Sequence, residues 1–276
     1  MTKQLILSGG LGNQMFEYAF FLSCKSKGVE LCLNRSLYEY NRMHNGYLLG
    51  KVFGVPEKEV LAVNRWTVYT TRFIRRYHPS RLVYTDKVMT YCEDAYRTRR
   101  PYYDGVFISE HYFKDIEEQV RMAFEFKDID SLNQNIGNEL LSRDSVSLHI
   151  RRGDFLNNPI YGVCDESYYS KAIDYMCSKV SNPVFYIFSD DADWSKRLME
   201  KFGVRYQLFT HNQGADSYKD MYLMSCCRHN IIANSTFSWW GAWLNTNKNK
   251  IVVAPNKWTL KHYMDHSLSN WVALEA

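Results

Sequence analysis

The chain has 276 residues, 46% hydrophobic and 23% charged, a globular composition that excludes a disordered polymer and suffices for two compact lobes. No run approaches eighteen consecutive apolar residues, so no transmembrane helix is expected. The net charge of +4 is uneven: residues 65–100 hold Arg65, Arg72, Arg75, Arg76, Arg81, Lys87, Arg97, Arg99 and Arg100 against only Asp86, Glu93 and Asp94.

That basic stretch has two readings, a solvated face or a surface that meets an anionic lipid or acidic glycan. Aromatic residues reach 16%. They serve as core or as platforms for sugars and flat bases. The seven cysteines are irregularly spaced, and the adjacent Cys226 and Cys227 bridge each other poorly. An odd count without CxxC pairs fits reduced thiols in a cytoplasmic chain. No signal peptide is expected, because Gln4 to Ser8 reads as a strand that starts the fold almost at once.

Gln4 to Ser8 reads as a strand, Gly9-Gly10-Leu11-Gly12-Asn13-Gln14 as a turn, and Met15 onward as a helix that Gly28 ends. Val29 to Leu33 resumes as a strand. Residues 36–105 show no clean period and read as mixed helix and loop. Residues 113–143 read as helical with polar interruptions at 133–138, and the chain is expected to pass between lobes near 140.

From Val146 the pattern alternates. Strands are expected at Val146–Ile150, Val184–Ser189, Arg205–Phe209, Asn230–Ala233 and, last, Lys250–Ala254. Helices are expected at Ser167–Ser178, Asp190–Phe202, Ser217–Cys226 and Phe237–Leu244. Alternation of this kind implies an α/β fold with a parallel sheet covered on both faces.

Four segments carry candidate chemistry. The glycine turn at 9–14 lets backbone approach a ligand ahead of a helix N-terminus that favours anions; a plain tight turn explains it equally well. His149-Ile150-Arg151-Arg152-Gly153-Asp154 ends a parallel strand, where α/β sheets bind ligands. His149 and Arg151 alternate onto one side. Arginine suits bidentate phosphate contact, and an Arg–Asp pair that ties down the loop is the competing reading. Asp191-Ala192-Asp193 is formally a DxD metal motif, but a strand running into Ser-Asp-Asp also reads as a helix cap, the favoured alternative. Asn234-Ser235-Thr236-Phe237 joins a buried strand to a helix start, a second anion site or an ordinary N-cap with Trp239 and Trp240 as core.

Taken in order, GGLGNQMF, HIRRGDF, FSDDADW and NSTFSWWGAWL closely resemble glycosyltransferase family 11, the bacterial-type α-1,2-fucosyltransferases, from Ser8 to about Trp258. The resemblance implies a GT-B-like protein, two Rossmann-like lobes with parallel sheets facing across a cleft. The acceptor side would be 1–140 and the GDP-fucose side 141–276. It implies inverting transfer of fucose from GDP-β-L-fucose to the 2-hydroxyl of a terminal β-galactose on a glycan, lipid-linked or free. GDP-fucose would be the co-substrate, with no cofactor, metal or nucleic acid. It places Arg151 on the β-phosphate, His149 and Asp220 at the guanine, and Asn13 near phosphate and acceptor. Ser235, Thr236 and Phe237 would hold phosphate. Arg152, Asn234, Gly10 and Gly12 are expected to complete the donor site. Asp154, beside the arginine pair, is the first candidate for a base, although such neighbours depress its pKa.

Three rivals remain. A metal-dependent transferase would use Asp191 and Asp193. A nicotinamide oxidoreductase is opposed by Met15 and by Leu33-Asn34-Arg35, where an acid would be needed. A carbohydrate- or nucleic-acid-binding module leaves the arginine pair at the sheet edge unexplained.

Overall fold

The computed structural model describes residues 2–39, 43–86, 90–156, 158–263 and 270–276, so Lys87 of the basic stretch lies outside it. The chain divides into two compact units, Met1–Asp128 and Ile129–Ala276. The division falls earlier than position 140 because the helix at Ser131–Ser142 packs on the helix at Tyr218–Cys226 in the second unit.

The first unit runs β1 (Lys3–Ile6), α1 (Leu11–Ser26), β2 (Leu31–Asn34), α2 (Leu49–Phe53), α3 (Arg65–Tyr77), β3 (Val83–Tyr84), α4 (Asp94–Arg97), β4 (Tyr102–Asp104) and α5 (Glu117–Ala123). Its sheet is parallel throughout, in the order β2-β1-β4-β3. Helix α1 begins at Leu11, not at the expected Met15, because Gly9 takes φ +74° and turns the chain directly into an N-cap at Gly10. Every residue from Gln14 to Cys24 is buried, so α1 is a central helix, apolar or satisfied all round. Much of the aromatic content is core here. Phe20 stacks on Phe107 at 3.8 Å between centroids, with Tyr103 and Tyr112 edge-on to Phe20. Residues 36–105 contribute β3 and β4, strands that the sequence did not announce.

The second unit runs α6 (Ser131–Ser142), β5 (Ser145–Ile150), α7 (Glu166–Lys179), β6 (Val184–Ser189), α8 (Ala192–Phe202), β7 (Tyr206–Phe209), α9 (Tyr218–Cys226), β8 (His229–Ile231), α10 (Thr236–Leu244), β9 (Val252–Pro255) and β10 (Val272–Leu274). The expected helix over 113–143 is two helices. Asp130 caps α6 by accepting from the Asn133 N–H at 2.9 Å, and the polar run 133–138 lies inside α6. β9 is not the last strand, since β10 pairs parallel to it at the sheet edge.

All six strands are parallel, in the order β10-β9-β8-β5-β6-β7. Side chains alternate across the sheet. Val146, Leu148, Ile150, Phe185 and Ile187 pack with α7 and α8, while Tyr186, Phe188 and Phe209 pack with α6 and α9. β5 is buried at every position, as expected of a strand covered on both faces. The chain leaves β5 outward through β6 and β7, then returns to β5's other side with β8. Strand order therefore reverses between β5 and β8, and at such a switch point the carboxyl ends of the strands flank a ligand crevice.

Candidate functional site

The end of β5 supplies the first group of residues. His149 is buried against Phe237 of α10, ring centroids 5.9 Å apart, and its backbone carbonyl accepts from the Tyr169 hydroxyl at 3.1 Å. Its Nδ1 is buried and unpartnered among the described residues. Burial, with help from the Arg151 charge and against Asp190, lowers its pKa to about 3. His149 is thus a neutral imidazole with an unused ring nitrogen at the switch point.

Arg151 is held from both sides. One guanidinium nitrogen meets Asp154 at 2.7 Å and the other meets Asp190 at 2.9 Å, while the group lies over the Phe155 ring. Arg152 turns elsewhere. Its Nε donates to Asp191 at 3.1 Å and its guanidinium stacks on Trp194 at 4.2 Å. The Arg152 backbone N–H donates to Asp190 at 2.8 Å. Asp190 therefore fixes both the Arg151 head and the loop beneath it. Gly153 permits this, because a Cβ there would lie 2.8 Å from the Asp190 carboxylate.

Asp191 is the N-cap of α8, accepting from the Trp194 N–H at 3.0 Å. Although burial raises it, that bond and Arg152 keep its carboxyl below the ordinary range. The capping reading of the segment holds for Asp191.

Across the switch point, β8 runs into Asn234, the N-cap Ser235 and α10. The Ser235 side chain makes no cap bond, and Thr236 and Phe237 open the helix. The Asn234 amide is spent on the protein: it donates to Gly162 O at 2.8 Å and Trp258 O at 3.1 Å, and its oxygen accepts from the Cys164 thiol. It shapes the site by clasping the flanking loops rather than by offering its own amide.

Beyond the end of β7, Asp220 in the first turn of α9 accepts from Asn212 at 2.8 Å. Burial pushes its pKa up to about 7, against that hydrogen bond. Asn212 is itself bonded to Asn133 at the start of α6. Asp220 is thus a buried carboxyl, held by one amide, whose charge changes near neutrality.

In the first unit, Asn13 lies in the first turn of α1, with Gly10 as its N-cap and Gly12 beside it. A Cβ on Gly9 would come within 2.4 Å of the Asn13 amide nitrogen, so the side chain folds back over a glycine that must be glycine. Two buried side chains, Glu17 and Gln14, and the half-buried Tyr38 lock this turn. Glu17 accepts from Ser8 N–H at 3.0 Å and from its hydroxyl, Gln14 donates to Gly9 O and Gly46 O, and Tyr38 donates to Gly9 O at 2.9 Å. Burial, only partly offset by Ser8, raises the Glu17 carboxyl well above its usual range.

The residues expected at the site thus form two groups. His149, Arg151, Arg152, Asp154, Asn234, Ser235, Thr236 and Phe237 flank the switch point; Asp220 lies farther out along the same carboxyl edge. Gly10, Gly12 and Asn13 belong to the first unit. Sequence reasoning missed Asp190, Gln14 and Tyr38. For Asp190 the signal was its place at the end of the strand next to β5, legible only once β5 and β6 are paired.

A human galactoside α-(1,2)-fucosyltransferase 1 is 27% identical over 147 residues, covering 48% of this chain and 40% of its own. An Escherichia coli α-1,2-colitosyltransferase is 31% identical over 290 residues, 98% of this chain and 97% of its own. The crystal structure of the fucosyltransferase NodZ from Bradyrhizobium matches with a TM-score of 0.50 at 14% identity, covering 87% of this chain and 93% of that one. That likeness places the two Rossmann-like units in the GT-B fold class. The model of glycosyl transferase family 11 matches residues 2–275, and the chain belongs to that family.

Proposed function

We propose that the chain transfers L-fucose from GDP-β-L-fucose to the 2-hydroxyl of a terminal β-galactose, with inversion and without a divalent cation. The observation that carries this reading is Arg151, fixed between Asp154 and Asp190 at the carboxyl end of the switch-point strand. In the reaction the bond from fucose C1 to the β-phosphate oxygen breaks, and its electron pair stays on that oxygen. The acceptor oxygen bonds C1 from the opposite face and releases its proton to solvent. Charge grows on the leaving diphosphate, where Arg151 and the start of α10 lower the barrier most. His149, neutral and buried, and Asp220 suit the guanine. Asn13, on its locked turn, suits the acceptor side.

Asp154 bonds Arg151 directly, which supports an orienting role over that of a base. Asp191 is engaged by the α8 N-terminus and Arg152, which supports phosphate stabilisation by the protein's own cations over a DxD-bound metal. A cytoplasmic setting, with all seven cysteines present as free thiols, belongs to the same reading. The similarity to an α-1,2-colitosyltransferase supports a second donor, GDP-colitose, whose sugar lacks one ring hydroxyl of fucose.

The test is GDP release with lactose as acceptor, in excess EDTA, from GDP-fucose and from GDP-colitose. Lactose-dependent turnover of GDP-fucose is expected. Faster turnover of GDP-colitose moves the donor to colitose. A requirement for added Mn²⁺ overturns the metal-free mechanism.

A further inference from the structure

Four arginines of the basic stretch, Arg65, Arg72, Arg75 and Arg76, lie on one helix, α3. From Leu61 to Thr85 the chain has no acidic residue, yet it carries Arg65, Arg72, Arg75, Arg76 and Arg81. Farther on, Arg97 is paired with Glu93. The unbalanced charge is therefore concentrated on α3 and the turn after it.

The inner face of α3 is narrow. Thr71 and Ile74 are buried; Asn34 donates to the Thr71 hydroxyl at 3.0 Å, Ile74 packs with Ile6 and Val83, and Arg75 pairs with Asp104 at 2.8 Å. A reciprocal cap between Asn64 and Thr67 fixes the N-terminus. The outward face is unusual for a helix in water. Trp66, Tyr69, Phe73 and Tyr77 stand at i, i+3, i+7 and i+11, a single stripe about 16 Å long. They are 75%, 65%, 46% and 67% exposed. The neighbouring stripe is Arg65, Arg72 and Arg76, all exposed, and Arg81 and Leu82 are exposed just beyond. Arg65, Arg76 and Arg81 have no ion-pair partner among the described residues.

We infer that this face of α3 docks on an anionic lipid surface. Exposed aromatics at helical spacing leave apolar area in water that a partner would cover. Trp and Tyr carry a polar tip on an apolar body, the combination that settles at lipid headgroups. A flank of arginines without acids supplies the attraction to phosphate headgroups, and the helix lies flat with its inner face anchored to the sheet. The aromatics stand on a convex helix instead of lining a groove, which favours a broad lipid surface over a threaded nucleic-acid strand.

The test is co-sedimentation of the whole protein with vesicles of phosphatidylcholine, with and without phosphatidylglycerol, at low and high salt. Binding only to the anionic vesicles, weakened by salt, is expected. Each arginine near the surface contributes about fivefold, so Arg65→Gln/Arg76→Gln/Arg81→Gln should weaken binding by about a hundredfold with an unchanged melting curve. Trp66→Ala/Tyr69→Ala should weaken it and abolish the blue shift of tryptophan emission on vesicles. Equal binding to both vesicle types, no binding, or binding indifferent to both variants overturns the inference. So does a dimer that the Trp66→Ala/Tyr69→Ala variant dissolves, which gives the face to a second copy. Retention of single-stranded RNA by a protein that ignores vesicles also overturns it.

Discussion

Replacing Arg151 separates the ion pairs that the structure shows from the leaving-group role proposed for it. Its guanidinium bridges Asp154 and Asp190, whose side chains are 49% and 25% exposed. Partly solvated pairs of this kind contribute about 0.2–1 kcal/mol each. Arg151→Ala should therefore cost the fold about 1–2 kcal/mol, including some repulsion between the two carboxylates left behind. A domain stable by about 5–15 kcal/mol stays folded through that loss. The loss at the transition state is larger. A preorganised donor aimed at developing charge supplies roughly 2.7–4 kcal/mol, a factor of about 10² to 10³ in kcat. Arg151→Lys decides between the two effects, because an ammonium restores one ion pair but not the planar fork. The assay is kcat at saturating donor, with GDP affinity by calorimetry and thermal melting on the same preparations. The expected pattern is a kcat loss of at least about a hundredfold in Arg151→Ala. Near-native melting but a still impaired rate is expected for Arg151→Lys. A rate within tenfold of wild type in Arg151→Ala, or full recovery in Arg151→Lys, would refute the argument that the fork stabilises the leaving group.

Other perturbations test neighbouring contacts. Gly153→Ala puts a Cβ 2.8 Å from the Asp190 carboxylate, so kcat should fall at least about tenfold with a melting shift of only a few degrees; an unchanged rate would show that Asp190 does not position Arg151. Asp220 is more protonated when folded than when unfolded between pH 3.8 and about 7. It thus destabilises progressively as pH rises through that window. Asp220→Asn should melt higher than wild type at pH 8 and equally below pH 3.8. GDP affinity should rise with pH through about 7 in wild type and stay flat in the variant, read by titration calorimetry. Gly9→Ala places a side chain at φ +74° and against Asn13. It should cost about 1–2 kcal/mol of stability and lower the rate further by displacing the Asn13 amide, so denaturant melts and kcat must both be measured.

The second unit was legible because its elements carry strong local signals. β6 is an apolar run of strand length, β5 alternates Val146, Leu148 and Ile150 with polar residues, and α7 and α8 begin behind Asp165 and Asp191. The first unit was harder for reasons visible in it. α1 is buried all round, so it shows no polar face to mark its true start at Leu11. β3 and β4 are two and three residues long, too short to display alternation, and exist because β1 and β4 offer edges to pair with. The break between α5 and α6 was signalled only by the Asp130 cap. At the site, HIRRGD announced the arginines, but which carboxylate each would meet depended on register. Ile150 pairs beside Ser189, and that sets Asp190 next to Arg151 and Asp191 next to Arg152. Such neighbours, 39 residues apart in sequence, leave no periodic trace.

The Asn234 clasp has a consequence for redesign. One amide joins the strand-to-helix junction after β8 to Gly162, ahead of α7, and to Trp258, after β9; Leu260 adds a backbone bond to Ile160. Three segments distant in sequence thus behave as one mechanical part beside the start of α10. Grafting a foreign loop into any one of them, to change which sugar is accepted, would twist the other two through that amide. Swapping all three together, with the asparagine retained, is the exchange this architecture should tolerate.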